Sequence, residues 1–516
     1  MLAAESLMRA LADAGVTLCL TNPGTTEIHL VAAMEKEPRI KPVLCLFEGV
    51  CSGAADGFAR MTGRPAVTLL HLGPGLANAM ANLHNARRAR SPVVNLVGDH
   101  PVRHRLNDPP LASDIATLGR PVSGWVHEVA SAASLPADGI AAVQAAMEPP
   151  GQVATLIIPA DCAWGDAQEA ALVHAPARPP TISAAAVATA ADMLRRGVPT
   201  AIVLGGAALL EPGLRAAERI ASKTGAVIMS QTFDARFARG AGLPAVKRLP
   251  YFPERARKRL SGYPQMILAG TLEPTAFFAY PDSDTGLPTQ GCTLQSLAAP
   301  GDDSVGALEA LADAVGADHD ASPSRRRQEA RPELLTGALS VESIGAALGA
   351  LLPEHAIVSD ESGTSGEFAY RMTAGAPPHD WLCLTGGSIG QGVPLATGAA
   401  LACPERKVVC LQGDGGAMYT LQALWTQARE SLDVTTIIFS NRKYQILQVE
   451  LWRLGFRHPS PQTEEMMQLT RPEIDWVAMA GAMGVDAARA DSAEAFNKLL
   501  AKAFAEPGPH LIEVVL

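Results

Sequence analysis

The segment 408–444 constrains the fold more than any other part of the sequence. An apolar run, 408–411, leads into the turn Gly413-Asp414-Gly415-Gly416, and a second apolar run, 434–439, ends shortly before Asn441. Between the two runs, apolar residues recur at helical spacing; they are Met418, Leu421, Leu424 and Ala428. These patterns predict a strand, a tight turn, a helix and a second strand, which together form one βαβ unit.

Asp414 and Asn441 each follow one of these predicted strands. Open α/β sheets bind ligands at the carboxyl ends of their parallel strands. Both side chains offer hard oxygen atoms, as does the backbone carbonyl of Lys443, and with phosphate oxygens and water they would complete the octahedral shell of Mg²⁺. Gly415 and Gly416 leave backbone N–H groups accessible for the same phosphates at a helix N-terminus. The alternative is a plain strand-to-helix turn capped by Asp414, which the spacing to Asn441 disfavours.

Gly-Asp-Gly, followed by Asn441 after one βα unit, resembles the thiamin-diphosphate motif of a known superfamily. Its members include pyruvate decarboxylase, benzoylformate decarboxylase and acetolactate synthase. The resemblance implies thiamin diphosphate and Mg²⁺ as cofactors, with Asp414, Asn441 and the Lys443 carbonyl as metal ligands. It also implies that Gly415, Gly416 and Tyr444 bind the cofactor.

At 516 residues the chain is too long for one ordinary domain, and its 48% of hydrophobic residues can fill several cores. Alternating strand and helix patterns predict three α/β domains, each a doubly wound parallel sheet, at 1–165, 183–317 and 338–516. Two predicted linkers separate them: 166–182, rich in alanine, proline and histidine, and 318–331, which contains Ser-Pro-Ser-Arg-Arg-Arg. The resemblance implies the same order, namely a pyrimidine-binding domain, a middle domain and a diphosphate-binding domain.

Composition argues against several classes of protein. The net charge is −10, from 42 basic and 52 acidic residues, so no nucleic-acid surface is indicated. No apolar run approaches the ~20 residues that cross a bilayer, and the N-terminus lacks a signal-peptide pattern. The 8 cysteines are scattered without a C-x-x-C pair, which favours reduced thiols in a cytoplasmic protein over disulfides or zinc.

Glu48 lies where the predicted strand 42–47 gives way to a helix. A carboxylate at a helix N-terminus is favourable in its own right, so the position alone does not establish a catalytic role. The resemblance implies that this glutamate contacts N1′ of the cofactor's aminopyrimidine and so assists removal of the thiazolium C2 proton. The helix carries Gly49, Gly53 and Gly57 at intervals of four, a stripe that allows another element to pack very closely.

Ile389 lies in the glycine-rich stretch 386–394, where it could be a simple core residue. The resemblance implies that an aliphatic side chain here supports the bent shape of the cofactor. Gly387 and Gly390 would then let the backbone approach the pyrimidine ring. Thr364 and Ser365 follow another predicted strand and could bind the diphosphate through hydroxyl and N–H groups.

His71 ends a predicted strand, where a histidine with a satisfied hydrogen bond is also common. In the benzoylformate decarboxylase branch, a histidine at this position relays protons at the reacting carbon, and Thr25 falls where that branch has a serine that contacts the substrate carboxylate. The branch also takes a second catalytic histidine from the middle domain. This sequence has no histidine between His174 and His319, and Tyr280 is a hypothetical substitute.

The resemblance predicts a thiamin-diphosphate- and Mg²⁺-dependent enzyme that decarboxylates a 2-oxo acid and then either protonates the carbanion–enamine or adds it to a second carbonyl compound. The alternatives are an acetolactate synthase-type carboligase that lacks FAD, because the middle domain is short, and a catalytically silent cofactor-binding subunit. An NAD-binding oxidoreductase is disfavoured because no G-x-G-x-x-G follows a strand. The resemblance also implies a homodimer or a dimer of dimers, in which Glu48 and Asp414 of different subunits share one cofactor.

Overall fold

The computed structural model describes residues 1–168, 182–280, 286–318 and 330–516. Most of the two predicted linkers, residues 169–181 and 319–329, lies outside these ranges. The chain divides into two compact units. The first consists of Met1–Pro176, Arg331–Ala376 and Leu384–Leu516, and the second of Ala177–Ala330 and Pro377–Cys383.

The N-terminal part of the first unit is a parallel sheet with helices around it. Its strands are β1 (Leu18–Thr21), β2 (Lys41–Leu44), β3 (Ala66–Leu70), β4 (Val93–Asp99), β5 (Trp125–Glu128) and β6 (Val153–Pro159). Its helices are α1 (Ala3–Asp13), α2 (Ile28–Glu35), α3 (Glu48–Thr62), α4 (Leu72–Ala89), α5 (Val102–Arg105), α6 (Ile115–Gly119), α7 (Leu135–Met147) and α8 (Ala160–Trp164). The strand order β2-β1-β3-β4-β6-β5 places a topological switch point between β1 and β3, where α/β sheets bind ligands.

The central strands of this sheet are buried along their whole length. Both β4 and β6 read as nearly continuous apolar runs, which is typical of parallel strands covered by helices on both faces. Their side chains join those of α1 and α7 in one hydrophobic core. The loops at the carboxyl ends of the strands are therefore attached to a well-packed sheet.

The second unit contains a smaller parallel sheet. Its strands and helices within 182–318 are β7 (Thr200–Leu204), β8 (Val227–Ser230), β9 (Phe237–Arg239), β10 (Lys247–Arg248), β11 (Gln265–Ala269), β12 (Thr293–Ala298), α9 (Ala184–Arg195), α10 (Glu211–Thr224), α11 (Pro253–Leu260) and α12 (Ser304–Ala314). The parallel strands run in the order β10-β8-β7-β11-β12. The unit also includes one strand from later in the chain, because β9 pairs antiparallel with 379–381.

The C-terminal part completes the fold. Its strands are β13 (Ile357–Glu361), β14 (His379–Cys383), β15 (Val408–Gly413), β16 (Val434–Ser440), β17 (Asp486–Ala490) and β18 (His510–Val515). Its helices are α13 (Val341–Leu351), α14 (Glu367–Met372), α15 (Gly392–Ala402), α16 (Asp414–Ala417), α17 (Ala423–Arg429), α18 (Gln445–Arg453), α19 (Pro461–Glu465), α20 (Trp476–Ala482) and α21 (Ala493–Ala505). In the first unit, parallel strands run in the order β17-β18-β16-β15-β13. The predicted architecture of three parallel-sheet α/β layers is confirmed.

One predicted element is wrong. The sequence pattern predicted a single helix through Met418, Leu421, Leu424 and Ala428, but the chain forms the short helix α16 and then α17, with a turn between them. Helix α16 begins at Asp414 itself. Met418 and Tyr419 lie in the intervening turn and are exposed rather than part of a buried helical stripe.

The glycine stripe of α3 meets α15 within the first unit, as the spacing predicts. A Cβ atom on Gly57 would lie 2.1 Å from the carbonyl oxygen of Leu395, and one on Gly398 would lie 1.9 Å from that of Ala54. Both helices are buried at this contact. Backbone-to-backbone packing therefore joins the helix that begins at Glu48 to the helix that follows Ile389. Every helix in the described ranges is too short or too polar to cross a membrane.

Candidate active site

Asp414 is buried at the carboxyl end of β15, next to the carboxyl end of β16. Its Oδ1 accepts the N–H of Gly415 at 2.8 Å, and its Oδ2 accepts the N–H of Arg442 at 2.6 Å. Burial raises the pKa of this carboxyl, while the N–H bonds from Arg442 and Gly415 act in the opposite direction. A cation beside the carboxylate would offset the cost of burying its charge.

The loop after β16 is held in an unusual backbone conformation. Arg442 has φ = 57°, the left-handed region that non-glycine residues rarely adopt, and its carbonyl accepts the N–H of Leu469 at 2.8 Å. Asn441 Oδ1 accepts the N–H of Lys443 at 3.2 Å, and the Lys443 carbonyl accepts the N–H of Gln445 at 3.0 Å. Each of these oxygens keeps a second lone pair for a cation. Strain of this kind is commonly found at functional sites.

Neighbouring side chains leave no room for a Cβ atom at Gly415 or Gly416 in the turn. A Cβ atom on Gly415 would lie 2.4 Å from the ring of Tyr444, and one on Gly416 would lie 2.4 Å from Glu361 Oε1. Gly415, Gly416 and Tyr444, which are predicted to bind the cofactor, therefore lie close together. The contact between Gly416 and Glu361 is not predicted by any sequence pattern.

Glu48 is the first residue of α3 and is 6% exposed. Its Oε2 accepts a hydrogen bond from Asn78 Nδ2 of α4 at 2.9 Å. A Cβ atom on Gly75 would lie 3.3 Å from Glu48 Oε1 and 3.4 Å from His71 Cβ. The glutamate and the histidine therefore approach the same point at the start of α4.

His71 caps α4 at the carboxyl end of β3, and its Nδ1 lies 2.8 Å from Oε2 of Glu27. Glu27 is fully buried, and Thr26 Oγ1 donates to its Oε1 at 2.5 Å. Gly24 and Gly98 leave room for the pair, because a Cβ atom on either would lie within 2.0 Å of His71 or Glu27. The residues of this pair come from the loops that follow β1 and β3, at the switch point of the sheet.

Thr25, the predicted substrate contact, is exposed at the start of a 3₁₀ turn spanning Thr25–Glu27. Its neighbour Thr26 makes the contacts with Glu27 and His71, the second at 3.4 Å. Leu72, directly after His71, has φ = 48° although its side chain is fully buried. A bulky residue in this conformation is a genuine outlier, so both His71 and Asn441 precede a strained residue.

The loop that carries Ile389 is tied to α4 by amide side chains. Asn85 Nδ2 donates to the Ser388 carbonyl at 2.7 Å, while its Oδ1 accepts the Ser388 N–H at 3.2 Å. Asn82 Nδ2 donates to the carbonyls of Gly49 at 2.9 Å and Gly390 at 3.2 Å. One side chain thus connects the residue after Glu48 with the residue after Ile389.

The remaining predicted cofactor contacts lie in the same unit. Gly387 and Gly390 have φ values of 74° and 93°, so their loop conformation favours glycine. Thr364 is exposed and Ser365 is buried in a 3₁₀ turn, Gly363–Ser365, that follows β13. The Ser365 N–H bonds the Ser362 carbonyl at 3.1 Å, so the hydroxyl of Ser365 is its freer polar group for an anion.

Sequence reasoning missed three buried polar residues: Glu27, Asn82 and Glu361. Each bonds at least one partner far along the chain, and none belongs to a short motif. Glu27 and Glu361 could have been identified from the sequence because each is an acidic residue close to the carboxyl end of an apolar strand. Such a residue must be buried against a partner or be part of a site.

The donor set fits the implied cofactor. A carboxylate, a carboxamide oxygen and a backbone carbonyl are the hard ligands that Mg²⁺ takes from proteins together with phosphate oxygens. The buried Asp414, whose carboxyl pKa is raised by desolvation, is suited to receive that charge. Backbone N–H groups at the start of α16 suit the phosphates.

Similarity to known proteins agrees with this fit. Residues 1–118 match the family "Thiamine pyrophosphate enzyme, N-terminal TPP binding domain", and residues 361–514 match "Thiamine pyrophosphate enzyme, C-terminal TPP binding domain". The chain is 50% identical to a Mycobacterium tuberculosis protein named "Putative acetolactate synthase large subunit IlvX", over 99% of this chain and 98% of the relative. It is 30% identical to a benzoylformate decarboxylase of Pseudomonas aeruginosa, over 97% and 96% of the two chains.

A solved structure supports the same assignment. The 4-hydroxybenzoylformate decarboxylase of Rhodococcus jostii RHA1 matches with a TM-score of 0.87 and 25% identity, and the match covers 100% of this chain and 99% of that one. The predicted family, fold and thiamin cofactor are thereby confirmed. The chain belongs to the thiamine pyrophosphate-dependent enzymes, in the family that includes benzoylformate decarboxylases and acetolactate synthases.

Proposed function

We propose that this enzyme decarboxylates a 2-oxo acid and releases an aldehyde after protonation of the former keto carbon. The observation that carries the proposal is the Glu27–His71 hydrogen bond beside Glu48. When bound, thiamin diphosphate supplies the electron sink for loss of CO₂. The reaction consumes one proton at carbon for each CO₂ released, so it needs a proton donor, and a histidine oriented by a carboxylate suits that role.

Residues of this chain would bind the cofactor and the metal ion and would transfer the proton. Asp414, Asn441 and the Lys443 carbonyl would hold Mg²⁺, and the N–H groups of the Gly415–Gly416 turn would bind the diphosphate. Glu48 would hydrogen-bond N1′ of the aminopyrimidine. Since Nδ1 of His71 is engaged by Glu27, Nε2 is the atom through which His71 would exchange a proton.

The loop residues complete the assignment. Ile389 would support the cofactor from the glycine-rich loop, with Gly387 and Gly390 allowing close approach of the backbone. Thr364 and Ser365 would contribute to diphosphate binding. Thr25, because it is exposed beside the Glu27–His71 pair, would contact the substrate carboxylate.

A second candidate is an acetolactate synthase-type carboligase, in which the same carbon attacks a second carbonyl compound instead of taking a proton. It is favoured by the 50% identity to a protein with an acetolactate synthase name. The two candidates differ only in which electrophile reaches the reacting carbon.

The deciding experiment is CO₂ release from a panel of 2-oxo acids, with products identified by mass. The panel contains pyruvate, 2-oxobutyrate, phenylpyruvate, benzoylformate and 4-hydroxybenzoylformate, with thiamin diphosphate and Mg²⁺ present. An aldehyde product supports the decarboxylase, whereas a hydroxyketone or 2-hydroxy-3-oxo acid supports the carboligase. No turnover of any acid by a protein that binds the cofactor contradicts both. Asp414→Ala, which removes a metal ligand, is the control for contaminating activity.

We also infer a homodimer or dimer of dimers with active sites at the subunit interface, and a cytoplasmic location. The first rests on the family resemblance and the second on the cysteines, all 8 of which are free thiols and most of which are buried. Sedimentation of the active enzyme tests the oligomer, because a fully active monomer would contradict it.

A further inference from the structure

The carboxylate of Glu361 is enclosed between two segments that the proposed function assigns to the cofactor. Glu361 is the last residue of β13 and is 7% exposed. Its Oε1 accepts the N–H of Gly390 and its Oε2 accepts the N–H of Gly392, both at 2.6 Å. Hydrogen bonds of this length to a carboxylate are at the strong end of the range. The two bonds fix the backbone directly after Ile389.

The other side of the carboxylate faces the Gly413–Gly416 turn. Gln412 is the register partner of Glu361 on β15, and its side chain lies beside that of Glu361. A Cβ atom on Gly416 would lie 2.4 Å from Glu361 Oε1 and 2.8 Å from Gln412 Nε2. A Cβ atom on Gly392 would lie 2.1 Å from Gln412 Oε1. The turn and the loop are therefore packed on the same pair of side chains.

The peptide groups on both sides of Gly390 are fixed. Its N–H bonds Glu361, and its carbonyl accepts hydrogen bonds from Asn82 Nδ2 at 3.2 Å and Thr420 Oγ1 at 2.8 Å. The backbone between them has φ = 93°. Because the N–H of Gly390 lies in the peptide plane that it shares with Ile389, the direction in which Ile389 leaves the backbone depends on the bond to Glu361.

We propose that Glu361 is a positioning residue that sets Ile389 relative to the diphosphate-binding turn, and so sets how well the bound cofactor is activated. The inference rests on the proposed function of that site. Glutamate suits the role because both of its oxygens are acceptors. Glutamine has one acceptor oxygen and would place an NH₂ group against one of the glycine N–H groups, and aspartate is one methylene too short to reach both.

The test compares the wild-type enzyme with Glu361→Gln and Glu361→Asp, each saturated with thiamin diphosphate and Mg²⁺. The primary measurement is the rate of hydrogen–deuterium exchange at C2 of the bound cofactor, read by proton NMR after acid quench. This rate needs no substrate, so it does not depend on which 2-oxo acid the enzyme uses. The dissociation constant of thiamin diphosphate is measured in parallel from tryptophan fluorescence.

We expect C2 exchange to fall by at least about tenfold in both variants, because small misplacements of groups that position reactants have effects of this size or larger. The dissociation constant should change little, since Asp414 and Asn441 are unaltered. A role in folding alone would lower the thermal midpoint but leave exchange in the saturated, folded enzyme unchanged. Asp433→Asn is the matched control, because it removes a carboxylate that bonds Lys407 just before β16, at the opposite end of the strands.

Wild-type exchange in Glu361→Gln overturns the inference while leaving the proposed function intact. If Glu361→Gln does not fold, Glu361→Asp provides the test, because it keeps the negative charge and only shortens the side chain. A wild-type rate of C2 exchange in Glu361→Asp also overturns the inference. A wild-type protein that binds thiamin diphosphate without any C2 exchange overturns the proposed function and the inference together. The two failures are therefore distinguished by the behaviour of the wild type.

Discussion

His71 Nδ1 lies 2.8 Å from Oε2 of Glu27, and the side chain of Glu27 is completely shielded from solvent. The carboxylate fixes the orientation of the imidazole ring and holds the proton on Nδ1 or shares it. The histidine side chain itself is 24% exposed, so part of the imidazole ring is accessible from solvent at the carboxyl end of β3. This arrangement gives His71 a defined direction for proton exchange.

The first prediction concerns this pair. Glu27→Gln keeps the size of the side chain but removes the carboxylate, so His71 loses its charged partner. We expect kcat to fall by about 10²-fold, the size typical of impaired general acid–base catalysis, with a smaller change in KM. Steady-state kinetics on the acid identified by the panel measures both. Glu37→Gln is the control, because it alters another buried glutamate, which lies between α2 and β2 and pairs with Arg39. Equal kcat values for the two variants would contradict the proposed role of His71 in proton transfer.

The second prediction concerns Glu48. In Glu48→Gln the amide oxygen can still accept from Asn78, so the local fold and cofactor binding should be kept. The loss of the carboxylate should lower turnover and C2 exchange by about 10²-fold or more. Asn78→Ala is the comparison, because it leaves the carboxylate in place and should have a smaller effect. Near wild-type turnover in Glu48→Gln would show that this residue is wrongly assigned.

Much of the site could be predicted from sequence because its residues follow strands in short motifs. Asp414, Asn441, Glu48 and His71 all lie at the carboxyl ends of strands or at helix starts, where the sequence patterns predict them. Local motifs of this kind carry their own geometry. The same reasoning placed the glycine stripe of α3 against a closely packed element.

What the sequence did not reveal are contacts between distant segments. Glu27 and His71 are 44 positions apart, and Asn82 and Gly390 are 308 apart. No single-sequence pattern records such pairs, because each partner alone looks like an ordinary polar residue. The break between α16 and α17 was missed for a related reason, since apolar spacing continued through a turn whose residues are exposed.

The third prediction tests the contact between α3 and α15. In Gly57→Ala the new methyl would lie 2.1 Å from the Leu395 carbonyl oxygen, so the helices must separate. Overpacking of this kind costs about 3 kcal/mol, and it also moves the helix that begins at Glu48. Thermal unfolding should show a clearly lower midpoint. Gly481→Ala in α20 is the control, because apart from its chain neighbours and the backbone of its own helix nothing lies within 4 Å of its Cβ position, and the change should be neutral or slightly stabilising. Equal midpoints for the two variants would contradict the close packing.

The last prediction concerns the stability of the second unit. Burial raises the pKa of Asp234 to about 7, against weaker opposing effects of Ser230 and Arg248, and within the described residues its Oδ2 has no hydrogen-bond partner. A carboxyl group with a raised pKa binds its proton more tightly in the folded state. Its contribution to stability is therefore greatest below the unfolded pKa near 4 and is lost as the pH rises through about 7, by an amount on the order of 4 kcal/mol.

Asp234→Asn should remove this dependence, so the stability of the variant relative to the wild type should increase between about pH 5 and about pH 8. The free energy of unfolding measured by urea at both pH values gives the comparison. Buried His379, whose pKa is lowered to about 3 chiefly by desolvation, also makes stability depend on pH. Because His379 is present in both proteins, its effect does not contribute to the difference in stability between the variant and the wild type. Asp192→Asn, at a side chain that is 62% exposed, is the control and should show the same small difference at both pH values. If Asp234→Asn behaves like that control, the carboxyl of Asp234 is ionised in the folded protein at pH 5, and its burial must be compensated by a partner.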